Sequence, residues 1–152
     1  MPRKNKKLPR HLLVIRTSAM GDVAMLPHAL RALKEAYPEV KVTVATKSLF
    51  HPFFEGLDVG FLDIETRRTH RGIRGAIRFA REAAELKIDA VADMHNVLRS
   101  KMVRAALHLR GIPVSVIHKG RIEKYMRLGR GSEGVKPLKH TVIRYCDVLR
   151  RL

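Results

Sequence analysis

The chain predicts an α/β fold: a parallel sheet of about five or more strands with helices on both faces. Short apolar, partly β-branched runs alternate with segments of helical spacing from residue 11 to the end. Strands that alternate with helices in this way imply right-handed crossovers and hence parallel pairing. A hydrophobic content of 45% over 152 residues suits one domain with a good core.

His11–Ile15 is apolar and reads as a buried first strand. Val23–Lys34 has helical spacing, and Glu35-Ala36-Tyr37-Pro38 ends that helix at a proline. Lys41–Thr46 alternates and reads as the second strand. Ser48–Glu55 is a short aromatic-rich helix or turn stopped by Gly56, with Phe50, Phe53 and Phe54 read as core. Val59–Ile64 is the third strand, and residues 65–75 form a polar loop with Arg67, Arg68, His70, Arg71 and Arg74. Gly75–Leu86 is a helix with its apolar side at Ile77, Ala80, Ala84 and Leu86. Ala90–Met94 is the fourth strand, Leu98–Leu109 a helix ended by Gly111, and Pro113–Ile117 the fifth strand. Lys119–Lys139 is basic and without clear periodicity, and His140–Leu152 is a final helix. Residues 1–10 read as a basic flexible tail and 11–152 as the domain.

The net charge is +17, from 31 Lys and Arg against 14 Asp and Glu. It predicts an anionic partner: a nucleic acid, an anionic membrane surface or a phosphorylated glycan. Cys146 is the single cysteine, which excludes an intrachain disulfide and reads as a packing residue. No apolar run approaches the ~20 residues of a membrane span, and no apolar region follows the basic amino terminus. The expected location is cytoplasmic, and a peripheral position on an anionic inner leaflet is compatible with the charge.

Arg16-Thr17-Ser18-Ala19-Met20-Gly21-Asp22-Val23 lies at the seam between the first strand and the first helix. Open parallel α/β sheets bind ligands at such seams. Gly21 would let a substrate approach the backbone or take a positive φ, and Asp22 would project into the crevice. Asp22 as helix N-cap is the alternative, worth roughly 1 kcal/mol. Neither G-x-G-x-x-G nor G-x-x-x-x-G-K-[ST] is present, which disfavours a nucleotide-binding or regulatory domain. The eight histidines are scattered, with no H-x-x-H and no cysteine cluster, so no metal is expected.

Leu13–Val23, followed by Leu26–Lys34 and Tyr37-Pro38, resembles the amino-terminal segment of glycosyltransferase family 9, the ADP-heptose:lipopolysaccharide heptosyltransferases. Ile88–Ser100 resembles the family's Asp, polar residue, Gly, Leu-Arg-Ser pattern, with Asn96 where Gly is usual. Asn is the residue after Gly that best tolerates the left-handed conformation. His140–Tyr145 resembles the helix near the end of the family's first domain. The resemblance implies a single Rossmann-like domain, the amino-terminal, acceptor-binding half of a GT-B architecture. It makes Asp22 the general base of an inverting transfer. The donor, ADP-heptose, would be bound mainly by a second domain for which this chain lacks the length, with a separately encoded donor-binding half as one source of it; no cofactor is implied. Catalysis by this chain alone would then be incomplete.

The family's acceptor is the phosphorylated lipid A–Kdo inner core, whose anionic groups call for Arg forks and Lys point charges. The positions expected to meet it are Arg67, Arg68, Arg71, Arg99, Lys119, Arg121 and Lys124, with Arg99 foremost because it follows strand four inside a matched block. For each of them a solvated surface cation is the alternative. Thr17 and Ser18 would bond a sugar hydroxyl or only satisfy the turn, and His95 would orient substrate or cap the next helix. A basic nucleic-acid-binding module is the competing class. Charge favours it, but aromatics are only 5%, there is no Trp, and no RNP-like, KH or zinc pattern occurs.

Overall fold

The computed structural model describes residues 8–65, 67–118 and 139–152. Its elements run β1 (His11–Ile15), α1 (Met20–Ala36), β2 (Lys41–Thr46), a 3-10 helix (Ser48–Phe54), β3 (Gly60–Asp63), α2 (Gly72–Glu85), β4 (Ala90–Asp93), α3 (Leu98–His108), β5 (Val114–Val116) and α4 (Thr141–Leu149). The strands form one parallel sheet in the order β3-β2-β1-β4-β5. The chain builds outward from β1 to β3, then crosses back to lay β4 on the free side of β1. The strand order therefore reverses between β1 and β4.

Period-two alternation divides the core. Leu12, Val14, Val42, Val44, Ala92 and Met94 face a layer made by α1, α4 and the 3-10 helix. Leu13, Ile15, Ala45 and Val91 face the layer of α2 and α3. All five residues of β1 are buried, as a central strand covered on both faces requires.

Several boundaries and faces differ from the sequence reading. α1 starts at Met20, so Gly21 and Asp22 lie inside its first turn. Phe50 and Phe54 are buried, but Phe53 is 38% exposed, because a 3-10 turn has too narrow an apolar face to bury all three rings. α2 turns Gly75, Ala76, Phe79, Ala80 and Ala83 inward and leaves Ile77 48% exposed. The cause is local. Gly75 packs on the preceding turn so closely that a Cβ there would lie 2.1 Å from the carbonyl carbon of His70. That contact, together with His70 bonded to Glu82 at 2.9 Å, fixes the helix rotation. α4 is shorter than the predicted helix and is capped by His140, whose Nδ1 accepts from the Val142 amide at 3.3 Å.

Candidate functional site

The crevice at a strand-order reversal, outside the carboxyl ends of the strands, is where open α/β sheets bind ligands. Here it opens between β1 and β4. Arg16 continues the β1 ladder, its amide donating to Ala45 O at 3.1 Å, and alternation turns its side chain toward α1. That side chain is buried. Nη1 donates to Met94 O beyond β4, and Nη2 forms an ion pair with Asp22 Oδ2. Nε has no partner among the described residues.

Asp22 is in the first turn of α1, where the positive end of the helix favours a carboxylate. Its side chain is 43% exposed. One carboxylate oxygen is engaged by Arg16; the other bonds no described residue. The N-capping alternative is not realised: the N-cap is Ala19, and no side chain caps the helix. Nor does Gly21 take a positive φ. A Cβ at Gly21 would meet nothing within 4 Å, so the surface beside Asp22 is open. From α4, Tyr145 donates its hydroxyl to Asp22 O at 2.9 Å. Burial pushes the Tyr145 phenol up to about 12, which keeps it a donor throughout the physiological range.

The β4 side rests on Asp93, which is fully buried. One carboxylate oxygen accepts the amides of His95 at 3.0 Å and Asn96 at 2.8 Å; the other accepts Arg104 Nη1 at 3.1 Å. Asn96 has φ 48°, the left-handed conformation that Asn tolerates, and its Nδ2 donates to Ile117 O at 3.1 Å. This turn sets the His95 ring beside the β1 loop. Thr17 Oγ1 lies 3.0 Å from Nδ1, and Ser18 Oγ lies 3.2 Å from Nε2. His95 does not cap α3. The N-cap is Val97, whose amide donates to Ser100 Oγ at 2.9 Å.

Thr17, Ser18, Gly21, Asp22 and His95 are thus brought to one crevice. Arg99 follows in the first turn of α3, partly buried and without a hydrogen bond or ion pair to the described residues. Arg67, Arg68 and Arg71 are exposed in the turn after β3, with β2 intervening between that strand and β1. Lys119, Arg121 and Lys124 lie outside the described residues. Sequence reasoning missed Arg16, Asp93, Arg104 and Tyr145. Two of these had a signal: Arg16 is the first residue past a buried strand, and Asp93 precedes by two and three residues the amides that an Asx turn uses.

The fold is a Rossmann-like α/β domain, a parallel sheet between two helical layers. Solved structures carry the same fold. A glycosyltransferase of family 9 from Veillonella parvula matches at TM-score 0.69 and 16% identity, over 93% of this chain and 41% of its own. Escherichia coli heptosyltransferase WaaC, bound to ADP-2-deoxy-2-fluoro heptose, matches at TM-score 0.62 and 22% identity, over 93% and 47%. Escherichia coli ADP-heptose lps heptosyltransferase II matches at 0.60 and 20%, over 91% and 40%. At these identities the likeness is one of fold. The chain spans under half the length of each of these structures, matching their amino-terminal part. No protein-family model and no curated protein matches the sequence. The family that the Leu13–Val23 and Ile88–Ser100 blocks resemble is nonetheless the one to which these structures belong.

Proposed function

We propose that the chain is the acceptor-binding half of an inverting glycosyltransferase that moves heptose from ADP-heptose to an anionic glycolipid of the lipid A–Kdo type. The observation that carries this is Asp22, a half-exposed carboxylate at the β1/β4 crevice with one oxygen held by buried Arg16. In the proposed reaction, the other oxygen takes the proton from the acceptor hydroxyl as that oxygen attacks the anomeric carbon. The sugar–phosphate C–O bond breaks on the opposite side, and ADP leaves. A base so placed contributes about 10²–10⁴ in rate. Thr17, Ser18 and His95 offer hydrogen bonds to the acceptor sugar, and Arg99 a fork for its phosphate or carboxylate. Donor binding belongs to a second domain of the kind the longer structures contain, in the same chain or in a partner. Turnover needs both halves. The working location is the cytoplasm, at the inner face of the membrane that holds the acceptor. Among the described residues no helix is long and apolar enough to cross a membrane.

The test is binding of this chain, at near-physiological salt, to detergent-dispersed Kdo₂–lipid A and to an RNA of matched charge. Selective binding of the glycolipid, weakened about tenfold or more by Arg99→Ala as one charge-assisted contact is lost, is the expected result. Equal or tighter RNA binding that ignores Arg99 would replace the reading with a basic nucleic-acid module.

A further inference from the structure

We propose that the rim of the α2/α3 layer at the crevice end of the sheet docks on an anionic phospholipid bilayer. The proposal rests on the acceptor being lipid-borne, and it names the surface that brings the crevice to it.

Each helix after a parallel strand runs back against it, so α2 and α3 begin at the carboxyl end of the sheet. That is the end carrying Asp22 and His95. These two first turns expose large aliphatic side chains: Ile73 is 69% exposed and Leu98 74%. Ile77, one turn after Ile73 on the same face of α2, adds to the patch. Isolated surface aliphatics are ordinary. Here Ile73 and Ile77 share one face of α2, and Leu98 opens the neighbouring helix of the same layer at the same end.

Arginines flank the α2 side. Arg67 and Arg68 precede α2, exposed Arg71 is its N-cap, and Arg74 follows Ile73. Farther along, Arg74, Arg78 and Arg81 line a shallow groove with Ile77. Of these arginines only Arg78 pairs with an acid among the described residues, at 2.9 Å from Glu82. The others keep their charge for an outside partner.

Aliphatic side chains flanked by arginines, all but Arg78 without an acid partner among the described residues, match a surface with negative headgroups over hydrocarbon. Single-stranded RNA would call for stacking aromatics beside the charge, and the exposed aromatics among the described residues, Tyr37, Phe53 and Phe61, lie outside this rim. An acidic protein would use the arginines but gives no reason for bare aliphatics at both helix starts. The placement also explains why Arg67, Arg68 and Arg71 sit two strands away from Asp22: they contact the bilayer, and the crevice contacts the acceptor within it.

The test is flotation of the full chain with vesicles of phosphatidylglycerol and phosphatidylethanolamine, against phosphatidylcholine alone, at near-physiological salt. Far-UV circular dichroism checks the fold of each variant. Arg71→Glu with Arg74→Glu should weaken binding to the anionic vesicles about 30-fold. Ile73→Ser with Ile77→Ser, which leaves the charge unchanged, should weaken it about tenfold. Arg31→Glu with Arg110→Glu, exposed positions away from the rim, should weaken it less than about threefold. The proposal is overturned if anionic vesicles are not bound, or if both arginine pairs act equally while the isoleucine pair does nothing. Vesicle binding lost with dispersed glycolipid binding kept would remove the docking surface alone. Vesicle binding kept without selectivity for the glycolipid would remove the acceptor reading alone.

Discussion

At the amino end of the sheet His11 is 7% exposed, and its ring is bonded on both sides, Nδ1 to Leu86 O at 2.9 Å and Nε2 to Thr43 Oγ1 at 2.8 Å. At the carboxyl end His95 is also bonded on both ring nitrogens, but it is only partly buried and its partners are the hydroxyls of Thr17 and Ser18. The partners make the difference. A carbonyl can only accept, so His11 must carry its proton on Nδ1 and receive the Thr43 hydroxyl on Nε2. Two hydroxyls can each donate or accept, so they admit either tautomer of His95. One histidine closes a joint; the other sits in a network that can be rearranged around a ligand. The same contrast holds for the carboxylates. Asp89 accepts the amides of Arg10 and His11, both at 2.9 Å, and ties the start of β1 to the end of α2's connection. Asp22 keeps one oxygen for solvent or substrate.

The open end still needs a rigid base, and Asp93 supplies it. Asp93→Ala would strand two part-buried amides and remove the carboxylate that pairs with Arg104, at a cost of about 3 kcal/mol. Urea unfolding with a shared m-value checks this. A cost below about 1 kcal/mol would mean that the turn is held by Asn96 and Ile117 instead, and the carboxyl end would be loose throughout.

The closed joint has a pH signature. Burial first, and then the nearby Lys41 charge, hold His11 below the ordinary histidine value of 6.5, against opposing contributions from its bond to Leu86 and from Asp89. The unfolded chain therefore takes the proton first. Stability should be complete above 6.5 and fall as pH drops through the folded value. The shifted carboxyls Glu82 and Asp147 lie below 4.5 and 3.8 respectively, so their losses come at more acid pH. His11→Ala should cost about 2 kcal/mol at neutral pH, from two partners left unpaired, and should flatten the slope just below 6.5. Chemical unfolding across that range reads both. A slope that survives the substitution would assign it to another group.

The two central strands β1 and β2 were readable because all but one of their residues are buried, and both fall on their predicted spans. The face of α2 was not. Ala80 was placed correctly, but the small inward residues Gly75, Ala76 and Ala83 carry little hydrophobic signal, while Ile77 carries much and points out. A close backbone contact with His70 decided the rotation, and a steric contact of that kind leaves no mark in the hydrophobic periodicity. At the site, Asp22, Thr17 and Ser18 were readable from the seam between strand and helix. Their partners were not, because Tyr145 reaches Asp22 from 123 residues away and His95 reaches Thr17 from 78. Strand order alone brings β1 beside β4.

The smallest expected effect tests the contrast most directly. His95→Ala removes the ring's bonds to Thr17 and Ser18, as His11→Ala removes those to Leu86 and Thr43. In the open setting, water can replace the ring at both hydroxyls, so the cost should stay at about 0.5 kcal/mol or less. The neighbouring resonances in a nitrogen–proton NMR spectrum should shift only around Thr17, Ser18 and the β4 turn. A cost that matched His11→Ala would make His95 a second structural joint, and the crevice would then offer an acceptor little beyond Asp22 and Arg99. A small cost joined to a clear loss of glycolipid affinity would assign His95 to the ligand. Neither circular dichroism nor unfolding of the free chain could reveal that role, because stability and recognition separate only where the partners of a side chain are free to change.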